Sequence, residues 1–239
     1  MIHFSSKYRS TQPEIMDEFD LKGEEMKKVL TDLKSVNKWL GGNNVTLDGI
    51  KELLPQSPSN KAITVIMDVG CGDGEMLRAC ARYAKKNNYY FKLIGLDANS
   101  FILEEAKQRS KNFSNIEYHT LDVFSEETMY PEVDIILCTL FLHHFSTEKI
   151  IDYLKKIVPE TNYGVVVNDL HRSWLAFQLF RLVSKFILKT KTARYDGLVS
   201  VARGFKKKEL IEISEKIKSK NYSLKWKWAF RYQLIFKNK

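Results

Sequence analysis

The chain has 239 residues, 44% hydrophobic and 28% charged, with only 5 prolines and 11 glycines, which excludes a disordered, collagen-like or low-complexity protein and suits one large folded unit. Lys and Arg number 38 against 29 Asp and Glu, a net charge of +9 weighted to the last third; this is either a solvated basic face or an invitation to an anionic partner. Cys71, Cys80 and Cys138 are odd in number and lack C-x-x-C or Cys/His ligand spacing, so neither a disulfide framework nor a zinc site is expected. No signal-like leader and no run approaching 18 apolar residues is found, so the expectation is a soluble, cytoplasmic protein without a transmembrane segment.

Residues 1–60 read as a polar, helical piece. Met26, Val29, Leu30, Leu33, Val36 and Leu40 recur at three- and four-residue steps and stop at Gly41-Gly42, an amphipathic helix with a glycine stop. A shorter helix is expected over 47–54, capped by Thr46 and ended by Pro55, with linker chemistry over 55–60. From Ile63 the texture changes to strand-like runs over 63–69, 91–96, 116–121, 133–139 and 163–167, alternating with helical stretches over 75–86, 100–110 and 147–158. Such alternation predicts parallel βαβ units. The continuous runs Ile135-Ile136-Leu137 and Val165-Val166-Val167 predict central strands buried on both faces.

Residues 174–188 form an apolar helix whose polar stripe is Gln178, Arg181, Lys185 and Lys189. It is too short to span a bilayer; it either packs as a lid or makes peripheral contact with a membrane surface, and the narrowness of the stripe favours the lid. A helix over 206–218 and strands over 222–228 and 232–236 complete the chain. The fold class expected is α/β: a doubly wound, mostly parallel seven-stranded sheet in a domain over 61–239, with an N-terminal helical cap over 1–60 and a lid insertion over 173–204.

The chemistry is carried first by Val65-Ile66-Met67-Asp68-Val69-Gly70-Cys71-Gly72-Asp73-Gly74, a strand running into a glycine-rich turn and then a helix. The glycines allow tight backbone geometry and close approach of a ligand at the switch point of the sheet. The spacing is G-x-G-x-G, and Glu75 stands where the dinucleotide fingerprint would need a glycine or alanine. Asp97 ends the second strand, suited to accept hydrogen bonds from ribose hydroxyls, and Asp122 follows the third.

As a set, these motifs resemble the class I S-adenosylmethionine-dependent methyltransferases over roughly residues 62–170. That resemblance implies a Rossmann-like methyltransferase fold and a site for S-adenosylmethionine, with S-adenosylhomocysteine as product. It puts Asp68, Gly70, Cys71, Gly72 and Gly74 beside the methionine part, Asp97 on the ribose, Ala98 beside the adenine, and Asp122 with Val123 at the adenine edge. The fourth strand and its exit, 134–145, which include Thr139, look like the segment facing the methyl donor in the branch acting on small molecules. The Asn/Asp-Pro-Pro-aromatic signature of nucleic-acid amine methylation is absent there, which argues against nucleic acid despite the basic charge. Pro13-Glu14-Ile15-Met16-Asp17, the segment 36–42, Asn168-Asp169-Leu170-His171-Arg172-Ser173 and the segment 196–205 are similar to a bacterial subgroup met beside aromatic polyketide or pigment pathways. The implied acceptor is a small molecule methylated on oxygen or carbon; the alternatives are an RNA or protein methyltransferase and a non-catalytic cofactor-binding partner protein.

In-line methyl transfer asks the protein to align the acceptor, exclude water and remove a proton. His143, His144 and His171 leave central strands on the ligand side and are the candidate catalytic residues, with His144 or His171 the favoured base and His143 equally readable as a packed, hydrogen-bonded neighbour of the cofactor. Neighbours on a helix do not share a face, so His143 and His144 are not expected to reach one acceptor together. Tyr8 and Phe177 are candidates for an apolar substrate wall; Asp169 would orient a histidine or bind a polar acceptor, and Arg172 would pair with an acidic group of the substrate. No metal is expected.

Overall fold

Seven strands pair in the order β3-β2-β1-β4-β5-β7-β6: β1 (Ile63–Val69), β2 (Tyr90–Asp97), β3 (Ile116–Thr120), β4 (Val133–Thr139), β5 (Thr161–Leu170), β6 (Tyr222–Lys227) and β7 (Arg231–Lys237). The computed structural model describes residues 2–18, 23–55, 62–125, 132–217, 219 and 221–238. The first five strands are parallel; β7 runs antiparallel to both β5 and β6. Strand order reverses between β1 and β4, which opens a crevice beyond their carboxyl ends.

Eight helices are described: α1 (Gly23–Trp39), α2 (Gly42–Leu53), α3 (Glu75–Asn87), α4 (Ser100–Arg109), α5 (Thr147–Ile157), α6 (Trp174–Ile187), α7 (Lys191–Arg203) and α8 (Lys207–Ile217), with 3₁₀ turns at Ile15–Glu18 and Leu142–His144. Alternation along the strands divides the core. Ile66, Leu93, Ile135, Leu137 and Val166 join residues of α2, α3 and α4 on one face. Met67, Ile94, Ile136, Cys138, Val165 and Val167 join α5 and α8 on the other. The uninterrupted apolar runs of β4 and β5 are thus buried on both sides, as their composition requires.

Several elements differ from the sequence expectation. Gly41, at φ 65°, turns the chain so sharply that α2 resumes at Gly42, so Thr46 lies inside the helix rather than at its cap. Its buried hydroxyl contacts Thr139 at 3.0 Å and accepts from Asn168 Nδ2 at 2.9 Å. α7 is a helix of its own with weak apolar periodicity, because Asp196 and Arg203 are turned inward among Ala193, Val199 and Val201. β5 runs three residues past its expected end, through Asn168, Asp169 and Leu170, polar positions that composition does not mark as strand. Residues 56–60 of the expected linker lie outside the described residues.

α2 approaches β5 closely at Gly49, where a Cβ would stand 2.5 Å from Val166 Cγ1. Gly49→Ala is therefore expected to destabilise the fold by about 1–3 kcal/mol through overpacking, seen as a lower Tm with roughly 2–4 °C per kcal/mol for a chain of this size. An unchanged or raised Tm would contradict that packing.

Candidate active site

β1 delivers the chain into Gly70-Cys71-Gly72-Asp73-Gly74. Gly70 and Gly72 have φ of 66° and 52°, a region that side chains with a Cβ rarely adopt. A Cβ on Gly72 would meet nothing within 4 Å, whereas one on Gly70 would strike the Phe141 ring at 2.4 Å. The loop is pinned by Asp97, whose carboxylate accepts from Gly72 N–H and from Asn99 N–H, both at 2.9 Å. Burial pushes the Asp97 carboxyl up, with those backbone donors pulling the other way. Asp68 is 2% exposed and its Oδ1 has no hydrogen-bond partner; burial, then the nearby Asp97, drive its carboxyl well above the ordinary range.

A cavity of about 890 Å³ opens over this loop. It is lined by Asp68, Gly70, Cys71, Gly72, Asp97, Ala98, Asp122, Val123 and Thr139. Gly74 is not among the lining residues: its backbone lies against Tyr118, whose hydroxyl a Cβ would overlap.

The same cavity reaches His143, His144 and His171. His143 is fully buried, with Nδ1 2.7 Å from Asp169 Oδ1 and Nε2 3.4 Å from Glu14 Oε1. Burial alone would lower its pKa; the two carboxylates outweigh burial and lift the imidazole to about 9. His143 lowers the carboxyls of Asp169 and Glu14 in turn, against their burial. His144 sets Nδ1 2.9 Å from Asp17 Oδ1, and Asp17 also accepts from Arg203 at 2.8 Å. His171 Nδ1 accepts from Trp226 Nε1 at 3.3 Å; burial, then Lys206 and Arg172, lower its pKa.

His143 and His144 follow one another in a 3₁₀ turn rather than an α-helix. Their ring centroids are 4.2 Å apart, and both line the cavity. None of the four expected substrate contacts lines it. Tyr8 is 74% exposed, Phe177 is buried against Phe4, and Asp169 is spent on His143 and backbone N–H groups. Arg172, fully buried, is paired with Glu209 at 2.7 Å and donates to Gly204 O. A guanidinium taken out of water needs a standing counter-ion, and Glu209 supplies it inside the fold.

Glu14 and Asp17 meet His143 and His144 in the cavity wall, a placement that residue type does not reveal, since two acids in a polar N-terminal stretch look like solvated surface. The segment is strapped over α7: Asp196 accepts from Ile15 and Met16 N–H, and Ser200 donates to Glu14. Among the described residues, Glu14, His143 and His144 bring three donor atoms within 4.8 Å of one another. A divalent cation of borderline softness accepts such a set, and a proton on His143 balances the same charges.

Residues 66–160 match the family model for a methyltransferase domain. No curated protein matches the chain. Among solved structures, an O-methyltransferase assignment from Nostoc punctiforme is 18% identical at TM-score 0.58, covering 90% of this chain and 61% of its own. The plantazolicin methyltransferase BpumL, bound to a triazolic desmethylPZN analog and SAH, is 16% identical at TM-score 0.63, with 89% and 91% covered. Human N-acetylserotonin methyltransferase, in complex with SAM, is 15% identical at TM-score 0.61, with 95% and 63% covered. The chain spans about three fifths of the length of the first and third of these. The match over residues 66–160 is to a methyltransferase domain, and the fold of the chain is that of these methyltransferase structures.

The clamp on His143 has a thermodynamic signature. Its folded pKa of about 9 lies above the ordinary 6.5, so its contribution to stability is complete below the unfolded pKa and fades as pH rises through about 9. Histidine NMR is expected to show one of the 5 imidazoles still protonated at pH 8, and Asp169→Asn should bring its titration down. All imidazoles titrating near 6.5 would refute the clamp.

Proposed function

We propose that this chain binds S-adenosylmethionine against the Gly70–Gly72 loop and transfers its methyl group to an oxygen or carbon of a small aromatic or polyketide-like acceptor. The observation that carries the reading is one continuous cavity joining the glycine loop and Asp97 to a histidine–carboxylate cluster. The loop fits the cofactor: Gly72 leaves open space where a side chain would stand, and Asp68 offers a buried, unpartnered oxygen to a cationic group. Similar structures crystallised with SAM or SAH support the same direction, one holding a triazolic desmethylPZN analog and one named for N-acetylserotonin.

When bound, the sulfonium supplies an electrophilic methyl group. The chain's own groups then divide the remaining work. Both nitrogens of His143 face carboxylates, so its ring stays protonated and acts as a fixed cation that positions the cluster. His171 accepts from Trp226 on Nδ1, which leaves the neutral ring's proton on Nε2 as a donor toward the acceptor. His144 has Nδ1 turned to Asp17 and its ring edge on the cavity, where it would take the proton from the acceptor hydroxyl. Phe141, Phe145 and Phe180 wall the cavity and exclude water.

Titration calorimetry should register S-adenosylmethionine binding, weakened about tenfold to a hundredfold by Asp97→Ala through the loss of charged hydrogen bonds. No heat with the folded wild type would overturn the reading. His144→Gln should lower turnover about 10²- to 10⁴-fold with cofactor affinity retained. The proton-based account of the cluster also expects full turnover after dialysis against EDTA; a loss restored by a divalent cation would place that ion at Glu14, His143 and His144 instead.

A further inference from the structure

We propose that the outer face of α6 seats on an anionic lipid bilayer and that the cavity takes its acceptor from that surface. A helix on a water-soluble domain ordinarily turns only its polar side outward; α6 exposes a broad apolar face beside its cations. Leu175, Leu179, Leu182, Val183 and Phe186 are 52, 43, 59, 42 and 84% exposed, and Trp174 at the amino end is 61% exposed, whereas Ala176, Phe177 and Ser184 make up its buried side. At 14 residues the helix is about 21 Å long and cannot cross a bilayer, which needs about 20 residues; it suits a position parallel to the surface.

Charge selects the occupant. The helix contains no acidic residue, and Arg181 and Lys185 border the apolar face, with Lys189 and Lys191 exposed just beyond its carboxyl end. Their long stems allow the cations to rise to phosphate headgroups while the leucines and Phe186 enter the acyl boundary. A second copy of the chain fits poorly, since two-fold pairing through this face would bring like cations together without acids to meet them. Leu179 and Val183 are at once exposed on this face and part of the cavity wall, and Trp228, 69% exposed in the β6–β7 turn, lines the same cavity. The cavity therefore borders the face that meets lipid. The docking itself stands on the surface alone; the delivery of an acceptor rests on the methyl-transfer reading above.

Sedimentation of the full chain with vesicles tests this. Vesicles of phosphatidylcholine with phosphatidylglycerol should retain the protein, pure phosphatidylcholine much less, and 1 M salt should weaken retention. The double variant Leu182→Asp/Phe186→Asp, at exposed positions and with Tm checked, should lose at least tenfold in vesicle affinity while S-adenosylmethionine binding is unchanged. Arg181→Glu/Lys185→Glu should abolish the preference for the anionic lipid. No retention on anionic vesicles, or a dimer in solution that the Asp variants dissolve, overturns the docking. Vesicle binding by a chain with no affinity for S-adenosylmethionine overturns the methyl-transfer reading and leaves the docking in place.

Discussion

The run Asp169–His143–Glu14 is the interaction on which the site depends. It joins the end of β5, the turn after β4 and the N-terminal strap, three segments far apart in sequence, through two carboxylates and one imidazole buried almost completely. Removing one partner of a buried pair costs about 3–5 kcal/mol because the other is left charged and unsolvated. The strap therefore cannot leave the cavity without stranding His143. Arg9 tightens the same junction by donating to the carbonyls of His143 and Arg203, at 2.9 Å each.

That junction also sets three histidines apart from one another. Ring position alone would make them equivalent, since each lines the cavity. Their partners separate them: two carboxylates on the first, one on the second, an indole donor on the third. Neighbouring groups, rather than residue type, thus give each ring its own electrostatic surroundings within one cavity. On the opposite side, Asp97 works twice, holding the glycine loop through Gly72 N–H while presenting its remaining lone pairs to the cavity.

Much of the fold is legible in the sequence because β1 and β4 carry dense apolar runs whose limits are set by polar neighbours, and their bounds agree with expectation residue for residue. The glycine loop and the acids after β2 and β3 are legible for a related reason: a tight turn needs glycine wherever it occurs. α7 is obscured because inward-facing Asp196 and Arg203 erase its periodicity. Thr46 misleads because a hydroxyl residue before an apolar run signals a cap unless Asn168 and Thr139, distant in sequence, claim it. Arg172 reads as a substrate contact for the same reason, its partner Glu209 lying 37 positions away. Long-range pairing of buried polar groups leaves no local signature.

One feature of the sheet bears on how such a chain can diverge. Arg231 donates to Asn168 Oδ1 at 3.4 Å and to Asn37 Oδ1 at 2.9 Å, Gln233 donates to Val45 O at 2.6 Å, and Asn168 donates to Gly42 O at 2.9 Å. The opening helices are thus stitched to β5 and β7, segments far from them in sequence. Recombination that exchanged α1 and α2 for those of a distant homologue would import helices whose polar sockets no longer match. Changes around the cavity rim leave those sockets intact, whereas the amino-terminal helices and the last strand can change only together.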